Sequence, residues 1–177
     1  NPIVQDNLQK LKHYGMEIIE PAVGLLACHD VGAGKLPSED VLLQYILKET
    51  ACEKTMKGKR VLVTAGPTVE AIDPVRFISN HSTGKMGYAL AEAAMQRGAE
   101  VTLVSGPVSL TPPPFVNVVS VTSAQDMYNA VTSLAPEQDA IVKAAAVADY
   151  APSQVSTEKV KKKDGDMSIP LTRTDRK

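Results

Sequence analysis

The sequence predicts an α/β fold: a Rossmann-like, mostly parallel sheet with helices on both faces. Three observations predict it. Residues 60–65, Arg-Val-Leu-Val-Thr-Ala, form a near-continuous apolar run, the pattern of a strand covered on both sides. From there the apolar spacing switches between strand and helix periods, in the order strand, helix, strand, strand, helix, strand. Polar turns follow three of the strands, at Gly66-Pro67-Thr68, Ser105-Gly106-Pro107 and residues 145–149, the edge where such sheets collect ligands.

The elements follow in order. Residues 4–14 place Val4, Leu8, Leu11 and Tyr14 at helical spacing, and Gly15 is a C-cap. Residues 16–19 read as a short strand ending at Pro21, and residues 24–28 as a second apolar run. Residues 31–37 read as a Gly-rich loop. Residues 38–48 form a helix, with Ser38 as N-cap, Glu39 and Asp40 at its positive end, and Leu42, Leu43, Ile46 and Leu47 as its apolar stripe. Residues 50–58 are polar and aperiodic, a linker, so the chain divides into segments 1–49 and 59–177. After the strand at 60–65, residues 84–97 form a helix with Met86, Ala89, Leu90, Ala93 and Ala94 on one face, stopped by Gly98. Strands are expected at 100–105, 116–121 and 139–148, and a helix capped by Ser123 at 124–134. Four prolines make residues 106–115 a loop.

The chain has 177 residues and a net charge of −1, so nothing marks it as a nucleic-acid or anionic-membrane binder, and any anion site must be local. No run of about 18 apolar residues suggests a membrane helix. Cys28 and Cys52 lie in no metal-ligand spacing and read as reduced thiols of a cytoplasmic protein. The chain begins Asn1-Pro2, without Met, and both ends read as cut from something longer.

The richest stretch is Ile78-Ser79-Asn80-His81-Ser82-Thr83-Gly84-Lys85-Met86-Gly87. It carries a carboxamide, hydroxyls and a lysine, and it opens into a helix whose first N–H groups attract anions. Residues 80–83 either cap that helix or line a phosphate site. No G-x-G-x-x-G and no complete P-loop is present. Lys159, Lys161, Lys162 and Lys163 form either a solvated turn or a counter-charge for a triphosphate. Asp149 closes a strand at the same edge, as a cap or as a partner for metal, ribose or base. Cys28 is either a core thiol or a proton donor. His81 reads as a hydrogen-bonding group.

Residues 61–87, VLVTAGPTVEAIDPVRFISNHSTGKMG, closely resemble the ligase domain of bifunctional coenzyme A biosynthesis proteins. Those proteins join a phosphopantothenoylcysteine decarboxylase to a phosphopantothenate–cysteine ligase. The resemblance continues through residues 101–108, through Ala144-Ala145-Ala146-Val147-Ala148-Asp149-Tyr150, and through Lys159-Val160-Lys161-Lys162, which fits the family's K-x-K-K motif. Residues 1–36 resemble the end of the decarboxylase, a flavodoxin-like domain, with Cys28 in the place of its catalytic cysteine and His29 where the family has Gly.

The resemblance implies the chemistry. CTP, with Mg²⁺ or Mn²⁺, activates the carboxylate of 4′-phosphopantothenate as an acyl-cytidylate, and the amine of L-cysteine then displaces CMP. Asn80, Ser82, Gly84 and Ala146 would bind the substrate. Gly66, Ala145, Asp149, Lys159 and Lys162 would bind CTP, and Asn80 and Lys159 would act in catalysis. Metal ligands are not identified. In the decarboxylase, FMN would oxidise the thiol side and Cys28 would donate a proton, although most of the flavin site falls outside this sequence. The resemblance also implies a homo-oligomer that pairs through the ligase domain. Two other readings compete: a non-catalytic assembly piece, and an NAD(P)-binding reductase, which the missing dinucleotide fingerprint opposes.

Overall fold

The structure, a computed structural model, describes residues 1–26, 29–162 and 164–174. Cys28 and Lys163 therefore lie outside the described residues. The chain divides into two compact units, Asn1–Ala51 and Cys52–Lys177.

In the first unit, helix α1 spans Pro2–His13. The side chain of Asn1 accepts from Ile3 N at 3.0 Å, and proline stands at the first turn, where a missing N–H costs nothing. Gly15 ends it with φ of +82°. Strands β1 (Ala22–Leu25) and β2 (Val31–Lys35) pair antiparallel, and helix α2 (Glu39–Thr50) follows, with Ser38 Oγ accepting from Val41 N.

Three expectations fail here. Residues 16–19 form no strand, because no neighbour supplies their ladder hydrogen bonds. The Gly-rich stretch from Val31 is not a loop but β2. Its glycines leave room for Leu26, whose methyl carbons would lie 3.3 and 3.2 Å from a Cβ at Gly32 and Gly34. The stripe expected on α2 is not buried either: Leu43, Ile46 and Leu47 are exposed.

The second unit is built on a four-stranded parallel sheet in the order β7-β6-β3-β8. Its strands are β3 (Arg60–Ala65), β6 (Glu100–Ser105), β7 (Asn117–Ser120) and β8 (Ala140–Lys143). In β3 the side chains alternate between faces. Val61, Val63 and Ala65 join Val101 and Leu103 against helix α3 (Lys85–Gln96). Leu62 and Val104 pack with Met127 of helix α4 (Ala124–Leu134). The two helices thus cover opposite faces of one mixed α/β layer.

The stripe of α3 differs from the expected one. Gly87, Tyr88, Ala91, Ala94 and Met95 are buried, whereas Met86 and Leu90 are exposed. Contact distance decides this. A Cβ at Gly87 would stand 2.5 Å from Ala65 Cβ, so α3 rests on the backbone of β3 where only glycine fits.

Strand β8 ends at Lys143, short of the expected 148. Ala144 N makes the last ladder bond, to Thr64 O at 3.2 Å, and Thr64 Oγ1 also accepts from Ala144 N and Ala145 N at 3.2 Å each; beyond it the pairing continues only as an isolated bridge between Pro67 and Ala146. Nor is the polar stretch at 50–58 a free linker. Thr50 closes α2, Met56 N donates to Arg97 O at 2.9 Å, and the Met56 side chain packs on the core.

Two short hairpins were not expected. Strands β4 (Val69–Ala71) and β5 (Phe77–Ser79) pair antiparallel, as do β9 (Tyr150–Pro152) and β10 (Leu171–Arg173). The first is tied to the layer by Val69 N, which donates to Thr122 O at 2.8 Å, and by buried Glu70, which accepts from Ala124 N at the start of α4.

Candidate functional site

The site begins where β3 runs out at the carboxyl edge of the sheet. Gly66 adopts φ of +75°, and a Cβ there would stand 2.9 Å from Val108 and 3.1 Å from Gly106 O. The backbone turns in a space that no side chain could share. Gly84, with φ of +76°, packs beside it: a Cβ on Gly84 would be 3.3 Å from Gly66 N.

Gly84 is the N-cap of α3 and supplies no side-chain cap. The capping alternative for residues 80–83 is therefore not what these side chains do. Ser82 Oγ accepts from Gly84 N at 3.3 Å, and Asn80 Nδ2 donates to Ala146 O at 3.0 Å. The first N–H groups of α3 carry the positive end of the helix dipole without a capping oxygen.

Ala146 joins the two sides. Its N–H donates to Gly66 O at 2.9 Å, and its carbonyl also accepts from Thr68 N at 3.2 Å. Thr68 is fully buried; its Oγ1 accepts from Ala148 N and its carbonyl accepts from Ser79 Oγ. The fold thus gathers Gly66, Asn80, Ser82, Gly84, Ala145 and Ala146 at one edge. Asp149 is exposed nearby in sequence, and its carbonyl accepts from Thr174 N at 2.9 Å.

Lys159 and Lys162 belong to a different cluster. With Arg76, Val160, Lys161 and Asp166 they line an open cavity of about 740 Å³. Among the described residues, four cations against one carboxylate give it a positive lining suited to a polyanion.

Three residues that periodicity did not single out organise this region. Asp73 opens the β4–β5 turn: its Oδ1 accepts from Val75 N at 2.9 Å and Arg76 N at 2.8 Å. Its Oδ2 accepts from Arg76 Nε, Arg76 Nη2 and Val160 N. The Arg76 guanidinium is the main reason that the Asp73 carboxyl lies well below the usual carboxylate range; burial opposes it, and the backbone N–H donors add to it. The Asp73-Pro74 step was a legible turn signal, but nothing local announced Val160 as its partner. Thr68 and Glu70, both buried polar residues, gave no signal.

Among the described residues no group of three His, Cys, Asp or Glu could hold a metal ion. Nor is any helix long and apolar enough to cross a membrane.

Residues 56–176 match the family described as the DNA/pantothenate metabolism flavoprotein C-terminal domain (DFP). The chain belongs to the DFP family. Residues 1–51 match the family described as Flavoprotein. A coenzyme A biosynthesis bifunctional protein CoaBC of Vibrio vulnificus (strain YJ016) is 51% identical over 172 residues, covering 97% of this chain and 43% of that protein. This DFP-family chain thus spans less than half the length of such curated relatives. Among solved structures, the C-terminal domain of a CoaBC protein is similar with a TM-score of 0.61 and 51% identity, over 70% of this chain and 58% of that one. The DNA/pantothenate metabolism flavoprotein from Streptococcus pneumoniae gives a TM-score of 0.60 at 27% identity, over 67% and 62%.

Proposed function

We propose that the DFP-family unit is the carboxylate-activating part of a CTP-dependent phosphopantothenate–cysteine ligase in coenzyme A biosynthesis. A carboxylate oxygen of 4′-phosphopantothenate attacks the α-phosphorus of CTP, and the bond to the β-phosphate breaks to release pyrophosphate. The amine of L-cysteine then attacks the acyl carbon, CMP leaves, and the amine gives up a proton.

One observation carries this reading: the β4–β5 hairpin serves both clusters. Its turn contributes Arg76 to the cationic cavity, and its exit leads into Asn80 at the sheet edge. In this reading Lys159 and Lys162 neutralise the triphosphate. Asn80, Ser82, Gly84 and Ala146 hold the substrate beside the open helix end, and Gly66, Ala145 and Asp149 form the nucleotide's side of the site. Mg²⁺ would be held mainly by the triphosphate, which suits a cation that keeps its waters and needs no protein cage.

The first unit supports less. Its groove of about 330 Å³ is lined by Glu17, Ile19, Tyr45, Ile46, Glu49 and Thr50, and Glu17 is paired with Lys48 at 2.9 Å. The match of residues 1–51 to the Flavoprotein family supports FMN for a decarboxylase portion, and no flavin step is assigned to this groove. A decarboxylase role for Cys28 stays a proposal for a longer protein.

Titration calorimetry of the chain with CTP and Mg²⁺ tests the ligase reading. Binding to the wild type, with a clear loss of affinity in Lys159→Gln, is expected. No heat with CTP would favour the assembly-piece reading and overturn this one.

A further inference from the structure

The segment that carries the lysines has no strand or helix of its own among its described residues between β9 and β10. Ladder bonds therefore do not hold Lys159 in place. Two anchors on the β4–β5 turn do. Ser156 N donates to Ile72 O at 3.0 Å. Four residues on, Val160 is gripped on both sides of its backbone: its N–H donates to Asp73 Oδ2 at 3.1 Å, and its carbonyl accepts from Arg76 Nη2 at 2.9 Å.

The grip centres on one carboxylate. The Asp73 side chain is inaccessible to solvent, whereas that of Arg76 is 39% exposed. Both Asp73 oxygens face only N–H donors. We infer that Asp73 is a positioning residue for Lys159: with Arg76 it clamps the Val160 backbone and so sets the lysine segment against the cationic cavity. This inference rests on the ligase reading of Lys159 given above. It differs from a purely local role, in which Asp73 would only close the 73–76 turn.

Asparagine separates the two roles. It is nearly the same shape, but one of its two ends is a donor. Whichever way the amide turns, it presents N–H groups to N–H groups, either at the turn or at Val160. With the oxygen kept at the turn, the clamp on Val160 is lost.

The test is amide hydrogen exchange on the full chain, read residue by residue by NMR, beside CTP·Mg²⁺ titration. In Asp73→Asn the Val160 amide should exchange about tenfold faster or more, the loss of one hydrogen bond to a charged acceptor. The amides of Leu62 and Leu103 in the sheet should be unchanged. CTP affinity should fall, and adding Lys159→Gln should lower it little further, since the two residues act as one unit. Unchanged exchange at Val160 in a folded Asp73→Ala protein, which offers no acceptor in either orientation, overturns the inference. If Asp73→Ala does not fold, Arg76→Lys decides: it keeps a cation beside Asp73 but lacks the second nitrogen that reaches Val160 O. Faster exchange at Val160 supports the clamp, and wild-type exchange there overturns it. A wild-type chain that binds no CTP counts against the ligase reading instead, so the two failures are distinguishable.

Discussion

Asn80 shows how little room the edge of the sheet leaves for a substitution that conserves only size. Its Nδ2 faces the Ala146 carbonyl, so Asn80→Asp would set a carboxylate oxygen against a carbonyl oxygen. In the proposed reaction that change should lower pyrophosphate release by roughly two to three decades, the range for losing one well-placed donor, with CTP binding retained. Wild-type pyrophosphate release by Asn80→Asp would remove the residue from the mechanism. Asp73 makes a prediction about pH. Its folded carboxyl lies below its ordinary value, so it contributes stability that is fully present above the ordinary carboxylate pKa. That contribution is lost progressively as pH falls from the ordinary value down through the lower folded one. Acid titration of unfolding should therefore show a strongly acidic component that Asp73→Asn abolishes; an identical acid profile in the variant would refute the assignment.

At the scale of elements, the long periodic segments were readable and the short ones were not. Ser123 was legible as a cap, and it forms a full capping box with Asp126. Ser123→Ala should cost about 1 kcal/mol in a denaturant titration, as the loss of an N-cap usually does. The position of α3 was legible, but its buried face was not, because the apolar residues counted there include Met86 and Leu90, which face water. The close approach at Gly87 chooses the face. Gly87→Ala should therefore destabilise by about 1–3 kcal/mol despite the better helix propensity of alanine, as overpacking does. A stabilised Gly87→Ala protein would mean that α3 shifts freely on β3. The hairpins β4–β5 and β9–β10 escaped notice because strands of three residues carry no measurable period.

At the scale of the whole molecule, the second unit depends on β3 being covered on both faces. Leu62 is fully buried against the α4 side, and Val63 against the α3 side. Leu62→Ala should lower the stability of this unit by about 2–5 kcal/mol, through lost burial and the cavity left behind. The denaturation midpoint should fall with the slope unchanged. A cost well below that range would mean that α4 collapses into the space.

The sequence by itself determined the parallel α/β layer, since a run such as residues 60–65 is stable only when buried on both sides, and the turn at Gly66, where only glycine is at ease. It also brought the candidate residues to notice, through their types and order. Only the tertiary structure decided which of them meet. Asn80 reaches Ala146 across 66 positions, and Asp73 reaches Val160 across 87. Such bonds join groups whose local spacing is silent about each other. They form because burial at the sheet edge leaves each polar group only the partner that the fold brings within reach.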